Sequence, residues 1–186
     1  MTEKKIIVLV GPSGSGKTSI GKILSKRGIP RLITTTTRAP RLGELDGVDY
    51  YFRDFTEMKI DHFIEQTVYN DNRYGLTKDE VKTKLEKYDL VHVSLDQNGA
   101  KAVKEAFPKE TFVIFVKISE EEMVHRMKRR GDSQAEIDER IVFSRRTNEL
   151  VPPPYTDLVV ENIDINVAAQ EIIDNIMKKT KSNKRV

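Results

Sequence analysis

Short apolar segments rich in β-branched residues recur along the chain and predict buried strands. They cover residues 6–10, 90–95, 111–118 and 157–160. None of these segments shows the alternation of apolar and polar positions that a half-exposed strand requires. Strands that are buried on both faces are typical of parallel sheets, so we expect the four segments to form one.

Between these segments the apolar positions repeat with the spacing of a helix. The first such repeat covers residues 17–27, and Gly28 is expected to end it. Thr77 and Ser119 are each followed three residues later by a glutamate, which is the spacing of a capping box at a helix start. A last helix is predicted over residues 166–177. The alternation of strands and helices predicts an α/β fold with a parallel sheet flanked by helices.

Two regions depart from this alternation. Residues 34–76 contain aromatic-rich, strand-like pieces separated by turn signals, which predict a small inserted sheet, antiparallel or mixed. Residues 119–149 are helical in pattern and dense in arginine. We expect a single domain with a core of residues 1–33, 86–118 and 150–178, an insertion of residues 34–85, a lid of residues 119–149 and a basic tail of residues 179–186.

The composition is that of one globular domain that folds in water. Of the 186 residues, 33% are charged and 38% are hydrophobic, and the apolar run at residues 6–10 is too short for a signal sequence or a membrane span. The absence of cysteine excludes disulfides, thiolate metal sites and cysteine nucleophiles. With 32 basic and 29 acidic side chains, the net charge of +3 favours no general affinity for nucleic acid. We expect a cytoplasmic protein that binds neither membranes nor nucleic acid.

Residues 11–18 match the motif of a phosphate-binding loop. The motif consists of Gly11, Pro12, Ser13, Gly14, Ser15, Gly16, Lys17 and Thr18. Glycines let backbone N–H groups converge on the phosphates of ATP, Lys17 can reach the β and γ oxygens, and the Thr18 hydroxyl can ligate Mg²⁺. A glycine-rich turn that binds nothing is the alternative, and the predicted strand and helix on either side argue against it. The motif alone does not separate kinases from GTPases or motor ATPases.

A second group of residues suited to binding phosphate follows the first helix. Arg38 and Arg41 lie three residues apart after four consecutive threonines, and an aromatic segment, residues 50–52, follows them. A kinase that acts on a nucleotide must hold the acceptor phosphate beside the donor against charge repulsion, and forked guanidinium groups suit that task. For each aromatic residue taken alone, ordinary strand packing is an equally good explanation.

Five short runs carry a resemblance to a known family. They are residues 11–14 (GPSG), 36–44 (TTRAPRLGE), 49–52 (DYYF), 63–65 (FIE) and 74–75 (YG). In this order and at this spacing they resemble the guanylate kinases, and the likeness covers about residues 5–163. The resemblance implies a P-loop kinase fold in which the inserted sheet binds the acceptor nucleotide and the helical segment forms a lid.

The resemblance also implies roles for individual side chains. Four of them would clamp the phosphate of GMP: Arg38, Arg41, Tyr50 and Tyr74. Glu65 would accept hydrogen bonds from N1–H and the 2-amino group of guanine, a pair that adenine does not offer, and Thr34 would lie near the base. Two positions depart from the family pattern, since Leu76 stands where a serine usually contacts guanine and Ser94 replaces an aspartate at a strand end.

The groups that assist phosphoryl transfer are expected at a strand end and in the lid. Asp96 follows the second predicted strand of the core, and we expect it to order Lys17 or water bound to Mg²⁺. Asp96 also suits the N-cap of the next helix, and both roles can coexist. Three lid arginines match the family positions: Arg126, Arg130 and Arg140. Together with Lys17, Arg38 and Asp96 they form the expected catalytic set, which acts by positioning and charge neutralisation.

The leading hypothesis is phosphorylation of GMP, and of dGMP, by ATP with Mg²⁺ in a monomer or homodimer. Leu76 and Ser94 leave open a related kinase for another acceptor, such as ribose 1,5-bisphosphate or another nucleotide. A third hypothesis is a guanylate-kinase-like interaction module that has lost catalysis, and the intact loop and lid arginines argue against it. Nucleic-acid binding through the last nine residues is disfavoured because their five basic side chains are more simply a solubilising end.

Overall fold

The computed structural model describes residues 3–57, 59–69, 71–129 and 131–182. Within them the chain forms eight strands and six α-helices. The strands are β1 (Lys5–Val10), β2 (Thr35–Thr36), β3 (Tyr51–Phe52), β4 (Phe63–Tyr69), β5 (Asn72–Thr77), β6 (Leu90–Ser94), β7 (Thr111–Lys117) and β8 (Leu158–Glu161). The helices are α1 (Lys17–Lys26), α2 (Lys78–Lys87), α3 (Gln97–Ala106), α4 (Glu120–Arg129), α5 (Gln134–Arg146) and α6 (Ile165–Ser182).

Four parallel strands form the core sheet in the order β6, β1, β7, β8. In the middle of the sheet Val8 of β1 lies between Val93 of β6 and Val113 of β7. The four strands coincide with the four predicted apolar segments to within one residue at each end, which confirms the expected parallel sheet. An isolated parallel bridge between Arg31 and His92 adds a further piece of chain beside β6.

Helices cover both faces of the core sheet, which explains why its strands lack polar alternation. On one face Val8 packs in a cluster with Val81 of α2 and Val103 of α3. On the other face Ile7 packs with Ile172 of α6 and with side chains of α1. Both β1 side chains are fully buried, and burying one side chain of this size stabilises the fold by about 1.5–3 kcal/mol.

The inserted region forms a second sheet with the order β3, β2, β5, β4. β4 and β5 form an antiparallel hairpin, while β2 is antiparallel to β5 and parallel to β3, so the inserted sheet is mixed. Strand β3 is only two residues long, because the residues before it form a turn in which the Gly47 N–H donates to the Tyr50 carbonyl at 2.9 Å. Strand β2 was not expected, since its two threonines carry no apolar signal.

Side chains cap the helices where the sequence predicts it. The Thr77 hydroxyl accepts a hydrogen bond from the Glu80 N–H at 3.2 Å, and the Ser119 hydroxyl accepts one from the Glu122 N–H at 3.1 Å. Both predicted helix starts are thereby confirmed. Ser133 forms a further capping box at the start of α5, which the sequence reading missed.

Helix α6 is longer than the repeat of apolar positions predicted. It continues to Ser182 instead of ending at residue 177, so the basic tail expected from residue 179 begins inside a helix. Lysine is a good helix former, so Lys178 and Lys179 let the helix continue beyond the last apolar position. Residues 183–186 lie outside the described part of the chain, and the division into core, insertion, lid and tail stays a prediction. Among the described residues no helix has the length and apolar character needed to cross a bilayer.

His92 on β6 is a buried titratable group away from the phosphate loop. Its side chain contacts α1, where its Nε2 atom lies 2.8 Å from the Ser25 hydroxyl. A Cβ at Gly21 would lie 2.9 Å from the imidazole Cε1, so glycine allows the close approach of α1 to the sheet. Burial, and secondarily the positive charge of Arg31, lower the pKa of His92 to about 4. The folded protein therefore holds this imidazole neutral.

We expect His92 to make the protein sensitive to acid. An imidazole in the unfolded chain takes up its proton near pH 6.5, whereas the folded chain resists protonation down to about pH 4. The free energy of unfolding should fall by roughly 3 kcal/mol from this group as the pH drops through that window. Urea unfolding between pH 7 and 4 should show a shallower loss for His92→Gln. The exposed His62→Gln is the control, and equal pH dependence in all three proteins would contradict the expectation.

Candidate active site

The loop between β1 and α1 has a backbone that only glycine adopts easily. Gly11, Gly14 and Gly16 have φ angles of 142°, 75° and 93°, and non-glycine residues rarely enter this region. A Cβ built on Gly11 would overlap the carbonyl oxygen of Val116, since the loop passes close to the end of β7. The predicted strand and helix flank the loop, so its structural context is confirmed.

Lys17 begins α1 and folds its side chain back over the loop. Its ammonium donates hydrogen bonds to the carbonyls of Gly11 at 2.7 Å and Pro12 at 2.8 Å. Burial lowers the pKa of Lys17 to about 8, while the negative charge of Glu149 opposes this shift and the positive charge of Arg140 adds to it. A desolvated cation above a glycine loop is suited to bind an anion. Thr18 is exposed on the first turn of α1.

Arg126 of α4 lies against the phosphate loop. Its guanidinium donates to the carbonyls of Gly14 at 3.3 Å and Asn162 at 2.7 Å, and its Nε donates to Glu122 at 2.6 Å. Asn162, which is 2% exposed, donates from its side chain to the Ser15 carbonyl at 2.7 Å. The sequence reading missed Asn162, although its place directly after β8 is the same signal that led to Asp96 after β6.

A cluster of aromatic and cationic side chains forms on the second sheet. The ring of Tyr50 lies 5.9 Å from that of Tyr74 at 67°, and the Arg38 guanidinium carbon is 5.5 Å from the centre of the Tyr50 ring. Arg38 donates to a Glu44 oxygen at 2.8 Å, and the other oxygen of Glu44 accepts from the Arg41 N–H at 2.7 Å. Glu44, followed by Tyr74, raises the pKa of Arg38. Glu44 thus orders the turn that carries both arginines, a role that its sequence position did not reveal.

Glu65 and Asp96 lie close together near the start of α3. The Glu65 side chain faces the helix, because a Cβ at Gly99 would lie 3.2 Å from its Oε2 atom. Burial, and secondarily the charge of Asp96, raise the pKa of Glu65 to about 7, while the backbone N–H of Leu76 opposes the shift. Asp96 accepts a hydrogen bond from the Gly99 N–H at 2.7 Å and so caps α3, as the sequence predicts.

Helix α5 contributes Arg140, which is paired with a carboxylate. One guanidinium nitrogen of Arg140 donates to both oxygens of Glu149, at 3.1 and 2.8 Å, and the Ser144 hydroxyl donates to the same carboxylate at 3.0 Å. Arg145 forms a surface pair with Glu120. Arg130, the remaining predicted lid arginine, lies outside the described residues.

Several of these groups line one open cleft of about 960 Å³. Its lining draws on the phosphate loop, the inserted region, the residues after β6 and helix α5: Ser13, Arg38, Arg41, Tyr50, Tyr74, Asp96 and Arg140. The structure therefore brings together predicted residues that are more than a hundred positions apart. The other predicted site residues in the described ranges lie outside this lining: Gly11, Pro12, Gly14, Ser15, Gly16, Lys17, Thr18, Thr34, Glu65 and Arg126. Thr34 is only 8% exposed.

The parallel sheet, the glycine loop after its central strand and the lysine over that loop define a P-loop protein that binds nucleotide phosphates. Comparison with known proteins shows to which family of P-loop proteins the chain belongs. Residues 3–179 match the family model described as guanylate kinase. The chain is 35% identical over 179 residues to a guanylate kinase of Prochlorococcus marinus, covering 91% of this chain and 95% of that protein. The chain belongs to the guanylate kinase family.

A further relative and two solved structures are consistent with membership of the guanylate kinase family. A guanylate kinase of Caldanaerobacter subterraneus is 37% identical over 174 residues, which are 90% of this chain and 84% of that protein. Among solved structures, the guanylate kinase from Anaplasma phagocytophilum superposes with a TM-score of 0.70 at 22% identity, over 96% of this chain and 87% of that one. A gluconokinase from Sinorhizobium meliloti has a TM-score of 0.55 at 16% identity, over 99% and 98% of the two chains. These structural matches support the P-loop kinase fold.

Replacing Gly11 with alanine should distort the phosphate loop, because the new methyl group meets the rigid backbone of Val116. Gly28→Ala is a matched control, since Gly28 also has a positive φ of 83° but a Cβ there contacts nothing within 4 Å. The control should lower the free energy of unfolding by about 1–2 kcal/mol, and Gly11→Ala by about 1–3 kcal/mol more. Only Gly11→Ala should also weaken ATP binding. Urea unfolding and ATP titration measure both effects, and equal behaviour of the two variants would refute the steric argument.

Proposed function

We propose that this protein transfers the γ-phosphoryl group of ATP to GMP and releases ADP and GDP. The observation that carries the proposal is the cleft that Ser13 of the phosphate loop lines together with Arg38, Tyr50 and Tyr74 of the inserted region and Arg140 of α5. Two anions that repel each other can be held side by side only where cationic and hydrogen-bonding groups surround both. Membership of the guanylate kinase family supports the same reaction.

On the donor side, the phosphates of ATP are proposed to lie over the loop at the N-terminus of α1. The ammonium of Lys17 is held there by two loop carbonyls and is only partly hydrated, so its charge acts strongly on an incoming phosphate. A bound phosphate would favour the protonated amine and reverse the burial effect on the pKa of Lys17. The loop and Lys17 therefore position the transferred group and neutralise its charge.

On the acceptor side, the GMP phosphate is proposed to lie among Arg38, Arg41, Tyr50 and Tyr74. Guanidinium groups offer paired donors that match phosphate oxygens, and the tyrosine hydroxyls add neutral donors. Glu44 already holds the Arg38 side chain and the Arg41 backbone in place, which reduces the entropy lost on binding. An oxygen of this acceptor phosphate attacks the γ-phosphorus of ATP, and ADP departs as the leaving group.

Guanine recognition is proposed to rest on Glu65. As a carboxylate it can accept hydrogen bonds from both N1–H and the 2-amino group of guanine. Leu76 occupies the position of the family's serine and has no hydroxyl to offer the base. It is 0% exposed and packs in the core cluster with Val81. Base selection in this chain therefore depends more heavily on Glu65 than the family pattern requires. Thr34 is proposed to lie near the base.

Mg²⁺ is proposed to accompany ATP. Among the described residues no group of three or more acidic, histidine or cysteine side chains forms a metal cage, which fits an ion that arrives on phosphate oxygens and takes few protein ligands. The exposed Thr18 hydroxyl would be one ligand, and Asp96, whose Oδ1 already caps α3, would act through water. Mg²⁺ at this place would neutralise charge on the β and γ phosphates.

Arginines of the lid are proposed to stabilise the charge that spreads over the transferred group. Arg140 faces the cleft but is paired with Glu149, so this ion pair must exchange for a pair with phosphate. Arg126 is held against the loop at the Gly14 carbonyl, from which a short movement reaches the donor site. Arg130 is proposed for the same role from its sequence position alone.

The alternatives raised by the sequence gain no support from the relatives. The curated relatives that match most of the chain carry the name guanylate kinase, whereas no comparison favours a ribose 1,5-bisphosphate kinase or a non-catalytic module. Use of dGMP, the monomeric or homodimeric state, the cytoplasmic location and the lack of nucleic-acid and membrane binding stay predictions.

A coupled assay of ADP formation tests the proposal. With ATP and Mg²⁺ we expect turnover of GMP, and of dGMP, well above that of AMP, UMP or ribose 1,5-bisphosphate. Lys17→Ala should abolish turnover with every acceptor, because the donor phosphates lose their principal cation. Faster turnover with an acceptor that lacks guanine would overturn the proposal. Absence of turnover with all acceptors would favour a binding module instead.

Replacement of Glu65 by glutamine should impair guanine use selectively, because the amide group presents an N–H donor to a base edge that also donates. The preference for GMP over AMP should fall by about 10–100-fold. In the unaltered protein kcat/KM for GMP should decline as the pH falls below about 7, where Glu65 becomes protonated. Steady-state kinetics with both nucleotides between pH 6 and 8 measure this dependence. Glu139→Gln, which changes an exposed carboxylate that lines the cleft, is the control, and an unchanged preference in Glu65→Gln would refute the assignment.

A further inference from the structure

The chain passes from the core sheet to the inserted sheet through a short buried connector, residues 30–36. At its start Arg31 forms a bridge with His92 beside β6, and at its end Thr35 and Thr36 form β2. Ile33 in its middle is 7% exposed. The position of the acceptor sheet relative to the core therefore depends on what holds this connector.

Glu80, in the first turn of α2, holds the middle of the connector. The side chain is buried, with the residue 7% exposed, and one carboxylate oxygen accepts a hydrogen bond from the Ile33 N–H at 2.9 Å. The other oxygen accepts one from the Tyr51 hydroxyl at 3.1 Å, and Lys84 lies 3.9 Å away. A buried carboxylate destabilises the fold unless it is hydrogen-bonded, so the Ile33 N–H and the Tyr51 hydroxyl are both held at the Glu80 carboxylate. Glu80 thus links α2, the connector and β3.

Tyr51 is the neighbour of Tyr50, which we place at the acceptor phosphate. Successive residues of a strand point to opposite faces, so Tyr51 and Phe52 lie on opposite sides of β3. The Tyr50 ring packs on the side of Phe52, with 5.9 Å between the ring centres. The Tyr50 ring contacts Arg38 and Tyr74 on the side of the cleft, whereas the Tyr51 hydroxyl reaches Glu80 behind the sheet. Burial, and secondarily the charge of Glu80, raise the pKa of Tyr51, so its hydroxyl remains a donor.

A second contact joins the connector to the same strand. The Arg31 guanidinium carbon lies 5.5 Å from the centre of the Tyr50 ring, which is the distance at which Arg38 also lies from that ring. The connector is therefore linked to both tyrosines. Arg31 contacts the Tyr50 ring directly, and Ile33 is joined to Tyr51 through the Glu80 carboxylate. Neither Glu80 nor Arg31 is part of the cleft lining.

We propose that Glu80 is a positioning residue for the acceptor phosphate: by binding the Tyr51 hydroxyl and the Ile33 N–H, it sets the place of Tyr50 relative to Arg38. The inference rests on the proposed function, since it concerns the site to which GMP is assigned. Glu80 does not touch the substrate. Its effect reaches the cleft through one strand, and the donor site on the other side of the cleft does not depend on it.

The test compares Tyr51→Phe and Glu80→Gln with a matched control, Glu86→Gln, which makes the same substitution on an exposed residue of α2. Tyr51→Phe removes only the hydroxyl, and Glu80→Gln keeps an acceptor for the Ile33 N–H. Each should raise KM for GMP by roughly tenfold, the equivalent of one hydrogen bond to a charged group. KM for ATP should stay unchanged, and kcat should change less than KM for GMP. The control should match the unaltered protein.

The double variant Tyr51→Phe, Glu80→Gln should raise KM for GMP by less than the product of the single effects, because both remove one shared contact. A purely structural role would instead lower the melting temperature and the active fraction without a selective rise in KM for GMP, and that result would overturn the inference. An unchanged KM for GMP in both single variants would also overturn it. Absence of GMP turnover by the unaltered protein would overturn the proposed function itself, and the inference with it.

Discussion

The ammonium of Lys17 lies largely out of water above the glycine loop, and the groups around it must compensate its buried charge. Two loop carbonyls accept its hydrogen bonds, and Glu149 opposes the loss of its charge. The same Glu149 binds Arg140 on α5. One carboxylate therefore acts on two cations, the ammonium of Lys17 and the guanidinium of Arg140, which come from different parts of the chain.

Carboxylates also form ion pairs with other arginines that are proposed to bind phosphate. Glu44 pairs with Arg38 and Glu122 with Arg126, both in partly exposed surroundings. Ion pairs of this kind contribute little to stability, because water screens them and ordering the side chains costs entropy. They nevertheless keep each guanidinium in a defined place, and a phosphate with more than one negative charge can displace them. The site is thus ordered before substrate arrives without being locked by strong internal pairs.

The sequence correctly predicts those features for which one short segment contains the whole signal. The four core strands are buried on both faces, so their apolar runs identify them, and the loop motif is recognisable because each of its positions serves a backbone or charge requirement. It missed β2 (Thr35–Thr36), which pairs with strands on both sides yet consists of polar residues. It also missed the roles of Glu44 and Asn162, since each of them binds a backbone group, the Arg41 N–H or the Ser15 carbonyl, that no side-chain pattern records.

Local sequence by itself determined the class of this protein: the glycine loop between a strand and a helix, and the arginine and aromatic runs that resemble guanylate kinases. Only the tertiary structure decided which of those residues face one cleft, that Lys17 and Glu65 have shifted pKa values, and that Glu80 lies behind the acceptor strand. The physical reason is that backbone propensities and motif spacing act over a few residues, whereas burial and electrostatic fields arise from groups far apart along the chain. Distant partners such as Glu149 for Lys17 become neighbours only after folding.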